Sequence, residues 1–156
     1  MKKILIIIDS LNAGGTERQL SLLIPRLSKL EFEIKICLIS SGGIFKKELE
    51  KSVEISEYNS QIKIGFINKI FKLSSFIYRL SKFEMYWKPD IINYYLPQSL
   101  LYGGMLSFFY PKSVRICSRR GLNDYKKNKL IVPILERIID KNIDYYMVNS
   151  AAVKEI

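Results

Sequence analysis

The stretch that decides the fold is residues 4–20, ILIIIDSLNAGGTERQL. Its first five residues form a continuous apolar run rich in β-branched side chains, which is typical of a strand buried on both faces of a parallel sheet. A polar loop with two glycines follows. Thr16 and Gln19 then have the spacing of a capping box, which predicts a helix that begins at Thr16. The stretch therefore predicts a strand, a loop and a helix in succession.

The same alternation continues along the rest of the chain. Further strands are predicted at 34–39, 53–58, 91–95, 113–118 and 145–149, and further helices at 45–51, 63–87, 98–109 and 130–141. This spacing implies βαβ units, and therefore an α/β fold: a Rossmann-like, doubly wound, mostly parallel sheet of about five to seven strands, with the first strand in its interior. A length of 156 residues predicts a single domain spanning 1–156.

Composition narrows the function classes. Lys and Arg number 25 against 15 acids, a net charge of +10, which favours anionic partners such as nucleic acid, an anionic membrane or a phosphorylated ligand. The chain has no His, which excludes Ser-His-Asp chemistry, Cys-His nucleophiles and His-based zinc sites within it. Cys37 and Cys117 are far apart within apolar runs, so we expect structural thiols of a reducing cytosol, and no metal or disulfide.

No apolar run is long enough to span a bilayer or to serve as a signal peptide. We therefore expect a cytoplasmic protein that at most lies on the inner face of the membrane. In an open parallel sheet, ligands bind beyond the carboxyl ends of the strands. The loops of interest are consequently 9–15, 40–43, 96–98 and 119–129.

Gly14 and Gly15 form the first candidate site. Between a strand and a helix, two glycines allow close approach of a ligand to the backbone, and the helix offers free N–H groups and its positive dipole end. The pattern is neither G-x-G-x-x-G nor a P-loop. A plain tight turn and an anion or sugar contact both remain open.

The second candidate is Ser118-Arg119-Arg120-Gly121, at the carboxyl end of a predicted strand. Two adjacent guanidinium groups can bind a phosphate or carboxylate in a bidentate manner. The alternative is a solvated basic turn.

The segment 63–88 carries six Lys or Arg residues, one acid and seven aromatic residues. A basic amphipathic helix with aromatic side chains suits an anionic membrane interface. A core-packing helix with a solvated basic face is the alternative. We do not expect nucleic acid, because no nucleic-acid motif accompanies the charge.

Four of these segments together resemble family-4 glycosyltransferases of the GT-B architecture. Residues 9–20 are similar to the "GGxER" opening of that family, and Lys88-Pro-Asp-Ile-Ile92 to its "PDIIH" strand. Residues 118–121 resemble the "SRR" loop of some members, and 144–150 resemble the "D-x-x-x-x-x-S" strand that follows it. The resemblance spans the whole chain.

The resemblance implies the N-terminal, acceptor-binding half of an enzyme that transfers a sugar from a nucleotide-sugar donor to an acceptor, in cell-surface polysaccharide synthesis. A lipid-linked glycan acceptor would fit the +10 charge. By this resemblance two groups of residues form the site. Gly14, Gly15, Thr16, Arg119 and Arg120 would contact the donor phosphates or the acceptor, and Asn93, Tyr94, Tyr95 and Ser118 would line the acceptor pocket.

The chain departs from the family pattern in two respects. It lacks the His that many members carry, and an Arg cannot replace it as a general base because it does not deprotonate. By the resemblance, we also expect a fragment that lacks the C-terminal donor-binding domain of the family and is inactive unless that domain or a partner chain completes it. The competing hypothesis is a non-catalytic anion- or nucleotide-binding module with a flavodoxin-like sheet.

Overall fold

The computed structural model describes residues 1–57, 74–75, 77–78, 80–82, 85–105, 112–119 and 131–149. Within that part, six strands form one fully parallel sheet in the order β3-β2-β1-β4-β5-β6. The strands are β1 (Lys2–Ile8), β2 (Phe32–Leu38), β3 (Glu54–Glu57), β4 (Ile91–Tyr95), β5 (Val114–Arg119) and β6 (Tyr145–Val148). The predicted parallel Rossmann-like sheet with an interior first strand is confirmed.

Helices connect the strands and cover both faces of the sheet. They are α1 (Gly15–Leu27), α2 (Lys46–Leu49), α3 (Pro97–Gly104) and α4 (Ile131–Asp140), and the described residues between 74 and 87 are also helical. Residues 63–73 of the predicted helix, the loop 120–129 and Arg120 lie outside the described residues.

Strand β1 shows why its apolar run is continuous. Leu5 and Ile7 point into one core cluster, with Tyr94, Leu100 and other apolar side chains. Ile6 and Ile8 point into the second cluster, on the opposite face. Because consecutive side chains of a strand alternate between its faces, a strand covered on both faces needs an apolar residue at every position.

The start of α1 differs from the sequence prediction. The helix begins at Gly15, and Gly14 is its N-cap, with an extended backbone. The capping box predicted for Thr16 and Gln19 is therefore wrong, since Thr16 already lies inside the first turn. Glu17 is the acidic residue of that turn, where a negative charge stabilises the helix dipole.

Two aspartates form hydrogen bonds with neighbouring strands at the amino edge of the sheet, where the strands begin. The Lys3 amide donates to Asp90 Oδ2 at 2.7 Å, and the Asp90 amide donates back to the Lys3 carbonyl at 2.9 Å. The same exchange joins Arg115 and Asp144, at 2.7 Å and 3.0 Å. Each aspartate thus continues the hydrogen bonding to a neighbouring strand just before its own strand begins.

Candidate functional site

The predicted site loops follow strands that end at one edge of the sheet. Strands β1 and β5 both pair in parallel with β4, which lies between them. Their carboxyl ends are therefore separated by two strand spacings, about 10 Å. Gly15, after β1, and Arg119, at the end of β5, are consequently at the same edge, as a shared ligand site requires.

The loop after β1 is fixed to the loop after β2 by backbone hydrogen bonds. The Ser40 amide donates to the Asp9 carbonyl at 2.7 Å, and the Leu11 amide donates to the Gly42 carbonyl at 3.2 Å. The Phe45 amide donates to the Leu11 carbonyl, also at 3.2 Å. These bonds join residues 9–11, at the start of the glycine loop, to the loop after β2.

Gly43 makes this junction possible. Its φ of 129° is in the region that favours glycine, and a Cβ there would collide with the Leu11 backbone, whose Cα would be 2.6 Å away. Nearby, the Gly42 amide donates to Glu57 Oε1 at 3.0 Å, and Lys46 pairs with the same carboxylate at 3.1 Å. The Gly42 hydrogen bond is the main reason that the pKa of Glu57 is lowered.

The two glycines before α1 have different surroundings. A Cβ on Gly14 would collide with the Glu17 carboxylate, whose Cδ would lie 2.9 Å away. A Cβ on Gly15 would meet no described atom within 4 Å. The backbone is therefore open to a ligand at Gly15. A phosphate at Gly14 would first have to displace the Glu17 carboxylate.

Asp9, directly after β1, is a further candidate site residue, which the sequence pattern alone did not single out. Its Oδ1 is buried and has no hydrogen-bond partner among the described residues. Burial raises the pKa of this carboxyl, the Ser40 hydroxyl opposes that shift, and the nearby Glu17 adds to it. A carboxylate in such a position suits contact with a ligand hydroxyl. The signal available in the sequence was an acid at the end of a buried strand.

Arg119 lies at the other side of this edge and already has partners. Its Nη2 donates to Asp140 Oδ1 at 3.3 Å, and its guanidinium lies 4.7 Å from the centre of the Tyr146 ring. The Tyr146 hydroxyl donates to the same Asp140 oxygen. A ligand that used Arg119 would compete with this pair, although the guanidinium Nε has no partner among the described residues.

The two cysteines are buried, as expected, and are not bonded to each other in the structure. Burial raises the pKa of the Cys117 thiol to about 11, and the nearby Arg119 reduces that rise only in part. The thiol is therefore protonated near neutral pH. Since the thiolate is the nucleophilic form, Cys117 acts here as an apolar packing residue.

The predicted acceptor-pocket residues lie near the carboxyl ends of β4 and β5. The Ser118 hydroxyl donates to Asn93 Oδ1 at 2.9 Å, beneath the edge. Tyr94 packs in one core cluster and Tyr95 in the other. All four side chains are buried. Their contact with an acceptor stays a prediction.

At the end of β4, Leu96 has a φ of 72°, in the left-handed region that a non-glycine residue enters at a cost of about 1–3 kcal/mol. Pro97 then begins α3 at its first position. The strained residue sits within the predicted site loop 96–98, beside the candidate edge.

Within the described part of the chain, no group of acids and cysteines could hold a metal ion, and no helix has the length and apolarity needed to cross a membrane.

Comparison with solved structures places this fold. The chain is similar to the lipopolysaccharide outer core galactosyltransferase WaaB, with 20% identity, a TM-score of 0.68 and coverage of 99% of this chain and 41% of that one. It is also similar to Anabaena Alr3699/HepE in complex with UDP, with 15% identity, a TM-score of 0.74 and coverage of 99% and 39%. The chain therefore has the fold of one half of a GT-B protein.

A second class of protein shares this fold. The UDP-GlcNAc 2-epimerase of Methanocaldococcus jannaschii matches with 17% identity, a TM-score of 0.64 and coverage of 99% of this chain and 41% of that one. This chain thus spans about two fifths of the length of these structures. Its sequence matches no protein-family model and no curated protein sequence.

Proposed function

We propose that this chain is the acceptor-binding half of a family-4 glycosyltransferase, which moves a hexose from a nucleotide-sugar donor to a glycan acceptor in cell-surface polysaccharide synthesis. The observation that carries the proposal is the open backbone at Gly15, at the carboxyl edge of a sheet whose fold matches a UDP-bound structure at a TM-score of 0.74. Ligands of doubly wound sheets bind at that edge.

The residues at the carboxyl edge would each make a different contact with the ligand. The backbone at Gly15 and Thr16 would approach the donor phosphates or the acceptor, where the helix terminus favours oxygen ligands. Arg119 or Arg120 would supply a fixed positive charge near neutral pH. Asp9 would accept a hydrogen bond from a sugar hydroxyl, which would give its unpaired oxygen a partner.

The chain would need a second half to catalyse sugar transfer. A C-terminal domain or a partner chain would grip the donor, with no metal or other cofactor required, and this chain alone would be inactive. We place the protein in the cytoplasm at the inner face of the membrane, where a lipid-linked acceptor would be presented.

A chimera tests the proposal. This chain replaces the structurally matched part of the galactosyltransferase WaaB, and release of UDP from a UDP-sugar is measured. We expect turnover in the unaltered chimera and a large loss in Gly15→Val, because a side chain there occupies the open space without disturbing described atoms. Arg120→Ala should cost about 10- to 150-fold, the effect of losing one charge-assisted contact of about 1.5–3 kcal/mol.

Lys29→Ala is the control, because Lys29 is exposed after α1, away from the candidate edge. Equal turnover in the Gly15→Val and Arg120→Ala chimeras and the unaltered one would contradict the proposed site. A chimera that folds and binds UDP but releases none from a UDP-sugar would contradict the transferase itself. Conversion of UDP-GlcNAc to its 2-epimer would favour the epimerase class instead.

A further inference from the structure

The Arg119 side chain turns back from the carboxyl edge at which its backbone lies. In the register of β5 and β6, Arg119 is opposite Val148. Cys117 and Tyr146 form the pair two positions nearer the amino edge, a distance of about 7 Å along a strand. The Arg119 guanidinium lies 4.7 Å from the centre of the Tyr146 ring and contacts the Cys117 thiol. The positive charge therefore lies behind the end of β5, at the level of this second pair.

Asp140 and Tyr146 keep the guanidinium in this position. Asp140 is the last residue of α4, and its Oδ1 accepts a hydrogen bond from Arg119 Nη2 at 3.3 Å. The Tyr146 hydroxyl donates to the same oxygen, and its ring attracts the guanidinium electrostatically. We call these three side chains the Arg119 cluster. Its carboxylate oxygen is shared between a cation and a neutral hydroxyl.

The ion pair of the Arg119 cluster is partly exposed and therefore weak. The exposed fractions of the side chains are 20% for Arg119 and 37% for Asp140, and water screens an ion pair that it can reach. A phosphate group carries more negative charge than one carboxylate and offers more acceptor oxygens. A diphosphate at the carboxyl edge would therefore compete successfully with Asp140 for the guanidinium, whereas an uncharged sugar hydroxyl would not.

We propose that Asp140 and Tyr146 determine ligand specificity, because they hold Arg119 back from the carboxyl edge and release it to the diphosphate of a nucleotide-sugar ligand. This inference rests on the proposed function, in which Arg119 is one of two candidate contacts of the donor phosphates. Release leaves Asp140 with the hydrogen bond from the Tyr146 hydroxyl. The carboxylate therefore keeps a partner within the fold, which lowers the cost of release.

Calorimetric titration of the WaaB chimera with UDP tests the proposal. Asp140→Asn keeps the shape of the side chain but removes the charge that competes with the ligand. The affinity for UDP should therefore rise about two- to fivefold, the effect of losing a partly exposed ion pair. Tyr146→Phe should lower the affinity roughly twofold, because Asp140 then loses the partner that remains after release. Uridine has no phosphate, so its affinity should be the same in all three proteins.

Two further variants identify the residue through which Asp140 acts. Arg119→Ala should lower the affinity for UDP, and the addition of Asp140→Asn to it should give no gain. The matched control is Asp144→Asn, which makes the same charge change at a carboxylate bonded to the Arg115 amide. Its affinity for UDP should be unchanged. Urea unfolding of the Asp140→Asn chimera should show a small loss of stability, so the gain in affinity cannot come from a firmer fold.

Three results would overturn the proposal. A gain in Asp140→Asn that persists without Arg119, or an equal gain in Asp144→Asn, would assign the effect to net charge. A lower affinity in Asp140→Asn would show that Asp140 presents Arg119 to the ligand instead of holding it back.

The outcome is separable from that of the proposed function, because one is read from UDP affinity and the other from turnover. An Arg119-dependent gain in a chimera that releases no UDP from a UDP-sugar would support this inference and contradict the transferase. Turnover without that gain would contradict this inference alone.

Discussion

The two edges of the sheet are built in different ways. At the amino edge, Asp90 and Asp144 repeat one device, in which a carboxylate and an amide exchange hydrogen bonds with the neighbouring strand. At the carboxyl edge, backbone hydrogen bonds fix the loop after β1, yet Gly15 faces open space and an oxygen of Asp9 has no described partner. Asp90 and Asp144 thus have their partners within the fold, whereas Gly15 and Asp9 at the carboxyl edge have groups available to a ligand.

This difference separates the motifs behind the family resemblance into two kinds. The "PDII" and "D-x-x-x-x-x-S" segments contain the aspartates that fasten strands. Gly14, Gly15 and Arg119, from the glycine and arginine segments, lie at the carboxyl edge. Substitutions at the amino edge should therefore lower stability and leave ligand contact intact. A bulky side chain at Gly15 should instead impair ligand contact and leave the fold intact.

Gly43→Ala should give the largest loss of stability. Its left-handed φ and the collision of a Cβ with the Leu11 backbone should together cost about 2–4 kcal/mol. Gly42→Ala is the matched control, because its φ of 86° is also strained while a Cβ there meets no described atom within 4 Å. It should cost about 1 kcal/mol. Urea unfolding followed by Trp87 fluorescence measures both, and equal losses would show that Gly43 does not hold the junction.

Asp90→Ala and Asp144→Ala should each lower the free energy of unfolding by about 1–2 kcal/mol, since each removes a charge-assisted hydrogen bond to a strand amide. Asp90→Asn keeps an acceptor and should lose less. In the chimera, UDP release should be unchanged by these substitutions once the protein is folded. A variant that keeps its full stability but no longer releases UDP would show that the amino edge takes part in function.

Gly15→Ala should raise the free energy of unfolding by about 0.5 kcal/mol, because alanine is the better helix former and the added Cβ enters open space. Gly14→Ala should give no such gain, because Glu17 must move. The comparison is read from paired urea unfolding curves. A loss of stability in Gly15→Ala would show that the space is already used by the fold.

Asp9→Asn should produce the smallest effect, one that depends on pH. Burial raises the folded-state pKa of Asp9 above its ordinary value of 3.8, so the folded state holds the proton more tightly than the unfolded state. Stability of the unaltered protein should fall as pH rises through the interval between those two values. The Asn variant removes that fall, so it should become relatively more stable as pH increases. A relative loss would show that the ionised carboxylate is stabilised in the fold.

Much of the fold was predictable because periodicity and turn residues report burial directly. The strand at 91–95 was predicted with the bounds that β4 has, since an apolar run between Pro89 and Pro97 leaves little choice. The N-cap of α1 was displaced by two residues, because Thr16 and Gln19 have capping spacing while Gly14 is the N-cap in the structure. A Thr and a Gln at capping spacing therefore do not locate the N-cap of a helix when a glycine just before them can serve as the N-cap instead.

The candidate site was less predictable, because pairing between side chains distant in sequence has no local signal. Arg119 was predicted as a ligand-binding charge from its place at the end of a strand, and the structure adds its contact with Asp140, 21 positions away. Asp9 passed unnoticed because its significance lies in an unpaired buried oxygen, which only the packed structure reveals.

Amide chemical shifts of residues 1–156, labelled within the folded chimera with WaaB, test the central claim most directly during titration with UDP-glucose. If the carboxyl edge is the ligand-binding side, the amides of residues 9–16 should shift most, with those of Asp90 and Asp144 unmoved. Shifts concentrated at the amino edge, or no shift at Gly14, Gly15 and Thr16 at saturating ligand, would contradict the account.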